Sequence, residues 1–455
     1  MNYNNFKDCS SKYRSAPFWA WNDKLEVAEL TRQIEKMKEQ GIGGFFMHSR
    51  GGLMDEYLGK YYMKAVKACV DKAEELNMKA WLYDEDRFPS GYAGGLLSKM
   101  DNAYRQKYLK MEQKPFSEIA KNDGILKIYC CDLCNKQIKN VKDVTGYSEK
   151  QIKNLQGTAL VFRVKYSPRD ENRNNQSYLD LCYKKAVDKF IETTHERYAE
   201  IVGNKFTSII PGIFTDEPHF KVSGDYNLPW TFKFAEKFKS VKGYNILDKL
   251  PALIFEMDNY KKIRFDYWDV ISKCFVDSFS KNIYNWCEDN QICLTGHFWE
   301  HTFPSPEYTG STMPNYEYMQ IPGIDMLFNT EERKNQVGND LIVKEVSSVA
   351  NQLGKDRVLS ETYGASGWEL NFKDQKIIAD WQLALGINFF CQHLSLYSLR
   401  GYRKRDFPLS FLDHQPWWDY YKKMGDYLGR MSYILSQGVY KSNILLLHPS
   451  SSTWT

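Results

Sequence analysis

The sequence predicts an α/β fold, a (β/α)8 TIM barrel with a small β-rich insertion after the third strand and the start of a further domain at the C-terminus. Short apolar runs alternate with stretches of helical periodicity, and the strand-like runs of the barrel can be counted to eight. Polar and aromatic side chains gather where these runs end, which is the C-terminal face of a parallel barrel.

The composition is that of an ordinary globular protein, with 455 residues of which 43% are hydrophobic and 26% charged. A net charge of only +4 predicts neither a nucleic-acid nor a membrane partner. The N-terminus lacks the apolar core of a signal peptide, and no apolar run reaches the ~18 residues of a membrane span. We therefore expect a cytoplasmic location with reduced thiols.

The first three strands are predicted at 16–22, 41–52 and 79–91. A helix that begins after Asp23-x-x-Glu26 and ends at Gly41 separates the first two, and a helix at about 61–76 precedes the third. Strands joined through helices in this way form parallel βαβ units. No G-x-G-x-x-G follows the first strand, so a dinucleotide-binding sheet is disfavoured.

Residues 100–172 interrupt this alternation with the β-like runs 125–133 and 158–164, which predicts a β-rich insertion. It contains Cys131-x-x-Cys134, a spacing seen in zinc sites. Because a zinc knuckle needs four ligands and no second pair follows nearby, free thiols are favoured over zinc.

The alternation returns after the insertion and completes a barrel made of residues 16–99 and 173–416. The later elements are predicted as helix 178–202, strand 209–215, helical region 229–289, strands 292–303 and 323–328, helix 344–353, a strand ending at Glu361, helix 374–385 and strand 387–398. Residues 417–455 hold a helix to about Leu435 and a strand-like run, 442–454. We expect this run to begin a further domain of a longer protein, or to pack back on the barrel.

Two carboxylates close strands that face each other across the barrel mouth. Glu217 follows the fourth strand in Thr215-Asp216-Glu217-Pro218, and Glu361 ends the seventh. Either one alone is equally well explained as a helix-start carboxylate that the helix dipole favours. A pair in these two positions favours glycoside hydrolysis, which needs one carboxylic acid and one carboxylate.

Other polar and aromatic residues at the strand ends are predicted to bind sugar, because hydroxyl groups need hydrogen-bond partners and pyranose faces stack on aromatic rings. They are Trp19, Trp21, Asn22, His48, Arg50, Tyr83, Asp84, Glu85, His297, Trp299, Glu300, Tyr363, Trp368 and His393. We expect about half of them to line the cleft, since a Trp can instead plug the barrel and acidic residues can instead form loop ion pairs. Glu300 is a reserve candidate for the second carboxylate or for a metal ligand.

Basic residues follow the eighth strand at Arg400, Arg403, Lys404 and Arg405, with Asp406 beside them. Such a cluster can bind an anionic sugar such as a uronate. A loop held by structural salt bridges is the favoured interpretation, because Asp406 and nearby aromatic residues offer partners.

Several motifs resemble those of bacterial glycoside hydrolases of family 106, the α-L-rhamnosidase-like proteins. They are PFWAWN, GIGGFFMHSRGGL, AWLYDEDRFPSGYAGG, FTDEP, GHFWE, LSETYG and YSLRGYRKRDFP, between about Ala16 and Trp418. The resemblance implies a clan A-like barrel in which Glu217 is the acid/base residue and Glu361 the second carboxylate. Family 106 members invert and use calcium whereas clan A enzymes retain, so calcium is the one cofactor that the resemblance implies.

We therefore predict a glycosidase that cleaves O-glycosidic bonds in oligosaccharides or plant and bacterial glycans, with α-L-rhamnosidase-like activity as one form. Glu217 would act as the general acid, and Glu361 as nucleophile or base. One alternative is a metal-dependent sugar isomerase or epimerase that uses Glu217, His297, Glu300, Glu361 or His393 as ligands. The other alternative is a barrel that binds carbohydrate without turnover.

Overall fold

The computed structural model describes residues 2–121, 124–301, 306–327 and 339–455. Its main sheet is parallel and is arranged around a barrel axis. In chain order its strands are β1 Phe18–Trp21, β2 Gly44–Ser49, β3 Lys79–Tyr83, β8 Gly212–Asp216, β10 Cys293–His297, β11 Ile321–Leu327, β12 Leu359–Gly364, β13 Phe389–Gln392 and β14 Ser395–Leu396. Strands are numbered along the whole chain, and the remaining numbers belong to a second sheet.

The main sheet closes on itself. β13 pairs with β12 and β14 pairs with β1, both in parallel, so these two short segments act as one eighth strand. The remaining neighbours follow chain order from β1 through β3 to β8 and then β10 to β12. The predicted α/β TIM-barrel fold is confirmed.

Helices surround the barrel on its outer side, as the predicted βα alternation requires. The described helices are Tyr3–Lys7, Val27–Glu39, Lys60–Glu75, Leu97–Met100, Glu149–Lys153, Lys184–Thr193, His195–Val202, Phe234–Lys242, Tyr260–Phe275, Lys281–Asp289, Pro306–Thr309, Met313–Tyr316, Asn339–Gln352, Phe372–Leu385 and Lys422–Leu435. A π-helical turn, Val276–Ser280, joins two of them into one long helix. The helix predicted from 178 begins six residues later than expected, at Lys184.

Side chains alternate across the barrel wall because successive residues of a strand point to opposite faces. The inner core is aromatic and aliphatic, and it consists mainly of Phe18, Ala20, Phe46, Trp81, Tyr83, Phe214, Leu359, Phe389, Cys391 and Leu396. Trp19 and Trp21 lie on the other face of β1, in the larger core between strands and helices. The polar side chains predicted at the carboxyl ends of the strands therefore lie above a packed interior.

The second sheet is antiparallel and occupies the region predicted as a β-rich insertion. Its strands are β4 Lys107–Pro115, β5 Ile125–Cys134, β6 Gln137–Asp143, β7 Thr158–Tyr166 and β9 Asn227–Trp230, in the order β6-β5-β7-β4-β9. β5 and β7 coincide with the two predicted runs. β9 lies just before and within a region predicted to be helical; it forms a strand because β4 offers it a free edge. The boundaries proposed for the domains remain predictions.

The strand predicted within 442–454 is wrong. Residues Ile444–Leu447 are 83–89% exposed and lie outside any strand, and a 3₁₀ turn follows at Ser450–Trp454. An apolar run needs a neighbouring strand to satisfy its backbone groups, and the described residues place none beside it.

All ten cysteines are unpaired thiols. Cys131 is buried whereas Cys134 is exposed. Among the residues with described positions, no helix combines the length and the apolar character needed to cross a bilayer.

Candidate active site

Glu217 lies immediately after β8 with a backbone φ of 47°, in the left-handed region that non-glycine residues rarely adopt. Its backbone N–H donates to the carbonyl oxygen of His297 on β10 at 3.1 Å. Gly296 allows this close approach, because a Cβ there would lie 1.9 Å from the carbonyl oxygen of Thr215. Strained backbone of this kind persists where the surroundings impose it, which is common at functional sites.

Glu361 points into the barrel from β12 and belongs to a hydrogen-bonded group. Its Oε2 lies 2.7 Å from Nε2 of His297, and that nitrogen lies 3.8 Å from Oδ1 of Asp216. The Tyr83 hydroxyl donates to Oδ2 of Asp216 at 2.7 Å. The strand register explains the grouping, since Asp216 is directly opposite His297, and Asp325 directly opposite Glu361.

Glu217 belongs to a second group next to the first. Nδ1 of His301 lies 3.5 Å from Oε1 of Glu217 and 3.8 Å from Oδ2 of Asp325. The backbone N–H of Asp325 donates to Oε1 of Glu300 at 2.6 Å, which anchors that carboxyl group behind the pair. We call Asp216, Glu217, Glu300, Asp325 and Glu361 the acidic cluster.

Burial raises the pKa values of four members of this cluster, which are Glu217, Glu300, Asp325 and Glu361. Burial raises the pKa of Glu217 well above its ordinary value, and the negative charges of the other four members raise it further. Burial also raises the pKa of Glu300, to about 8, and that of Asp325 well above normal. The cluster therefore retains protons at neutral pH.

Glu361 has a positively charged neighbour that offsets part of the effect of burial. Burial and the charge of Asp216 raise its pKa, but the nearby Arg50 guanidinium lowers it, and His297 can donate a hydrogen bond to it. The pKa of Glu217 is raised by four neighbouring carboxylates. Because these groups interact strongly, their titrations are coupled, and the Arg50 charge favours the ionised form of Glu361.

The acidic cluster also has the donor set for a divalent cation. Two groups bring ligand atoms within 4.8 Å of one another: Asp216 with His297 and Glu361, and Glu217 with His301 and Asp325. Oδ1 of Asp325 and Oε2 of Glu300 are buried without a hydrogen-bond partner. A set dominated by carboxylate oxygens suits calcium better than a transition metal.

Three predicted sugar-binding aromatic residues face away from the mouth, and these predictions are wrong. Trp19 donates from Nε1 to Oε1 of Gln33 on the first long helix at 2.7 Å. Trp21 packs edge-to-face on Tyr62 with ring centroids 5.3 Å apart. Tyr363 donates to the carbonyl oxygen of Gln375 at 2.9 Å. All three occupy the outer side of their strand, so they hold helices against the barrel.

Three polar residues that were predicted to bind sugar form hydrogen bonds that hold loops in place instead. Their prediction as sugar ligands is therefore corrected. Asn22 exchanges two hydrogen bonds with the backbone of Ser398, at 2.9 and 3.0 Å. Asp84 accepts from the hydroxyl of Ser90. Glu85 accepts five backbone N–H bonds, four of them from residues 91–94, so it shapes the loop after β3.

The other predicted residues lie at or near the mouth. His48, Arg50, Tyr83, His297, Glu300 and His393 lie in or beside the hydrogen-bonded network. Trp299 stacks on Tyr308 with centroids 4.8 Å apart and lies 5.1 Å from the His301 ring, so it forms an aromatic edge beside Glu217. Trp368 is half-buried and packs against both the inner and the outer core.

Asp216, Asp325 and His301 are functional candidates that were not assigned to the site from the sequence. A signal existed for Asp325, since it is the one charged residue in the apolar run GIDMLF. Asp216 and His301 are sequence neighbours of predicted site residues. At the end of a strand, the alternation of side chains between the two faces does not tell which of two neighbours points into the barrel.

The basic loop after β14 pairs differently from the prediction. Asp406 is bonded by Arg50 of the loop after β2, through Nε at 2.8 Å and Nη2 at 3.1 Å. Arg400 donates to Asp23, and the Arg403 guanidinium lies 3.5 Å from the same carboxylate. The salt bridges exist, but they connect this loop to other loops rather than closing it on itself.

Comparisons with known proteins agree with the barrel fold. The structure resembles that of a rhamnosidase from Novosphingobium sp. PP1Y with a TM-score of 0.70 and 14% identity, over 96% of this chain and 60% of that one. A putative beta-glucuronidase from Formosa agariphila is 25% identical over 229 residues, which are 49% of this chain and 19% of that protein. The chain thus spans less than two thirds of either relative.

The family assignment rests on a longer match. The resemblance seen in the motifs is confirmed, and with it the prediction of a glycosidase at the level of the family. Because the sequence model of the alpha-L-rhamnosidase family, glycoside hydrolase family 106, matches residues 173–455, more than half of the protein, the chain belongs to that family.

Proposed function

We propose that this chain forms the catalytic barrel of a glycosidase with α-L-rhamnosidase-like activity, in which Glu217 is the general acid. The observation that carries the proposal is the burial of Glu217 among four other carboxyl groups, which raises its pKa well above the ordinary value and so favours its protonated form. A protonated carboxyl group is what the departing glycosidic oxygen needs.

Glu361 is the second carboxylate in this proposal. The 2.7 Å contact with His297 fixes its orientation, and the Arg50 charge favours its ionised form. In a retaining reaction it would attack the anomeric carbon, and in an inverting reaction it would take a proton from water. The aromatic edge formed by Trp299 and Tyr308 offers an apolar face to the sugar beside Glu217.

We also propose that the acidic cluster holds calcium. The carboxylates of Asp216 and Asp325 are the residues that would hold it, with Glu300 behind them, so that Glu217 keeps its proton and Glu361 stays free to react. When bound, the ion would neutralise part of the cluster and offer coordination to sugar hydroxyl groups. This assignment rests on the buried unpaired oxygens of Asp325 and Glu300.

Removal of divalent metal is expected to lower activity about tenfold or more and to lower the melting temperature, because the carboxylates then repel one another without compensation. Activity and melting are measured after chelation, dialysis and elemental analysis, and again after calcium is returned. Magnesium is the matched control, since it prefers a smaller, octahedral site and should restore less. Full activity in protein shown to be free of metal would contradict the calcium proposal.

The reaction catalysed separates the isomerase alternative, because both it and the calcium proposal predict a loss of activity when metal is removed. That alternative needs one metal held by both glutamates, whereas here His297 accompanies Glu361 and His301 accompanies Glu217. The isomerase alternative predicts metal-dependent interconversion of free sugars with no hydrolysis of glycosides. Release of a sugar from a glycoside supports the glycosidase instead.

A panel of nitrophenyl glycosides tests the function directly. We expect turnover of the α-L-rhamnoside, and we include galactosides and glucuronides because one relative is named a putative beta-glucuronidase. The first anomer released, read by NMR, tells retention from inversion. Sugar binding without turnover of any member, or of natural oligosaccharides, would instead favour the non-catalytic barrel.

A further inference from the structure

A cavity of about 440 Å³ opens beside the acidic cluster, between the loops that follow β2, β3 and β14. Its charged lining consists of Arg50, Arg87, Arg173, Arg403 and Asp406, and we call it the arginine pocket. The volume lies within the range of small-molecule sites. Apart from Arg50, whose charge acts on Glu361, the lining of this pocket has no part in the proposed chemistry.

The pocket is electropositive. Four guanidinium groups and one carboxylate lie along its wall. Asp406 is already engaged by Arg50 through two hydrogen bonds. Asp23, outside the pocket, lies 3.5 Å from the Arg403 guanidinium, and Asp86 lies 4.0 Å from Nε of Arg87. These acids offset Arg403 and Arg87 in part.

Arg173 is the charge that the surrounding acids do not offset. Its guanidinium lies 5.2 Å from the centroid of the Tyr92 ring and 5.8 Å from that of Phe88. Among the described residues, no carboxylate comes within ion-pair distance of it. Aromatic stacking orients a guanidinium while leaving its N–H groups available, so Arg173 is held ready to bind an anion.

The pocket communicates with the acidic cluster through short contacts. Nη1 of Arg50 lies 2.9 Å from Nε2 of His48, whose ring lies 3.9 Å from that of Tyr83. The Tyr83 hydroxyl in turn donates to Asp216. Arg50, which lines the pocket, also lies close enough to Glu361 for its charge to lower the pKa of that carboxyl group, so a neighbouring group of a sugar bound at Glu361 can reach the pocket.

We propose that the arginine pocket binds an oxyanion, a carboxylate or a sulfate ester, on a sugar of the glycan that enters the barrel mouth. This deepens the proposed function and rests on it, since the glycan is the ligand that the mouth would hold. Planar guanidinium groups match carboxylate and sulfate oxygens in pairs. The pocket would also offset the repulsion that the acidic cluster exerts on an anionic substrate.

The test is equilibrium binding of D-glucuronate, D-glucose 6-sulfate and neutral D-glucose, titrated by NMR or calorimetry at low salt. We expect at least one of the two charged sugars to bind about tenfold or more tightly than glucose, the gain of a charged hydrogen bond. Whichever of the two charged sugars binds more tightly identifies the oxyanion that the pocket prefers, a carboxylate or a sulfate ester. Added salt should weaken the preference.

Arg173→Met, which retains an apolar stem to stack on Phe88 and Tyr92, should lose most of that preference while glucose binding stays unchanged. Arg173→Lys keeps the charge without the planar guanidinium group. Its preference for charged over neutral sugar should lie between those of Arg173→Met and wild type. Lys404→Gln is the matched control, because Lys404 is exposed on the same basic loop and does not line the pocket. Equal binding of charged and neutral sugars, or an unchanged preference in Arg173→Met, overturns the inference.

The two proposals fail separately. If no glycoside is cleaved while a charged sugar still binds through Arg173, the proposed function fails and the pocket remains. If glycosides are cleaved but Arg173→Met changes neither binding of charged sugars nor the KM of a uronate-containing or sulfated oligosaccharide, the pocket assignment fails alone.

Discussion

Replacing Glu217 with Gln is expected to lower kcat/KM for a glycoside with a poor leaving group by about 10²–10⁴-fold, the usual contribution of a positioned acid. The loss should be far smaller for a dinitrophenyl glycoside, whose leaving group departs without a proton. The amide is nearly isosteric with the protonated carboxyl group that the buried cluster favours. Steady-state kinetics on the two substrates measure the contrast.

Folding provides the control for this variant. Because the amide of Glu217→Gln brings no charge into a crowded acidic cluster, the melting temperature should stay level or rise. Glu345→Gln is the matched variant: Glu345 is also buried and accepts from Thr312 at 2.7 Å, but it lies on the helix Asn339–Gln352 outside the cluster. Its kinetics should match wild type.

The pH profile gives a second readout of the same prediction. The pKa of Glu217 is raised by burial and by the neighbouring carboxylates, so the acid keeps its proton to higher pH than an ordinary carboxyl group, and activity should fall as pH rises through that pKa. In Glu217→Gln this alkaline limb should disappear. An equal loss on both leaving groups with the limb intact would show that another residue is the acid.

The barrel was predictable because its signal is spread along the chain. Each strand is an apolar run such as the one before Asp216, and each is followed by a helix with its own periodicity. The same reasoning fails for two segments. β9 is a strand that was not predicted, and the exposed run at 444–447 was predicted as a strand but does not form one. Whether a short apolar run pairs depends on a neighbouring strand that local sequence does not specify.

The site was predictable only in part, for a geometric reason. Glu217 and Glu361 follow from the order of strands, and the structure places Glu361 inside the barrel beside His297. Trp19 and Trp21 were misassigned because their strand is apolar on both faces, so composition cannot tell inside from outside. Asp325 can be assigned to the site only from the strand register, which places it directly opposite Glu361.

The acidic cluster also implies a cost in stability that the fold must offset. Several buried carboxyl groups share one mouth, and Glu217 adds a left-handed backbone, which costs on the order of 1–3 kcal/mol. The packed aromatic interior below and the helices around the barrel supply the rigidity that holds these groups together. Such an arrangement is typical of functional sites rather than of a stabilising core.

Replacing Glu361 with Ala should reduce activity on good and poor leaving groups alike, by about 10³-fold or more, because nucleophile or base is needed whichever group departs. This equal loss is the opposite of the pattern expected for Glu217→Gln. Glu345→Ala is the matched truncation for folding. Turnover close to wild type in Glu361→Ala would remove Glu361 from the mechanism.

Small anions sharpen that experiment. The truncation leaves a gap beside His297, which then lacks the carboxylate 2.7 Å from its Nε2. Azide or formate can occupy the gap and should raise the rate of Glu361→Ala on an activated substrate, while wild type shows no gain. The first anomer released by wild type then assigns the role, since retention makes Glu361 the nucleophile and inversion makes it the base. If azide rescues no activity and Glu361→Gln is as active as wild type, the second carboxylate must be sought in Asp216, Glu300 or Asp325, the remaining members of the acidic cluster around Glu217.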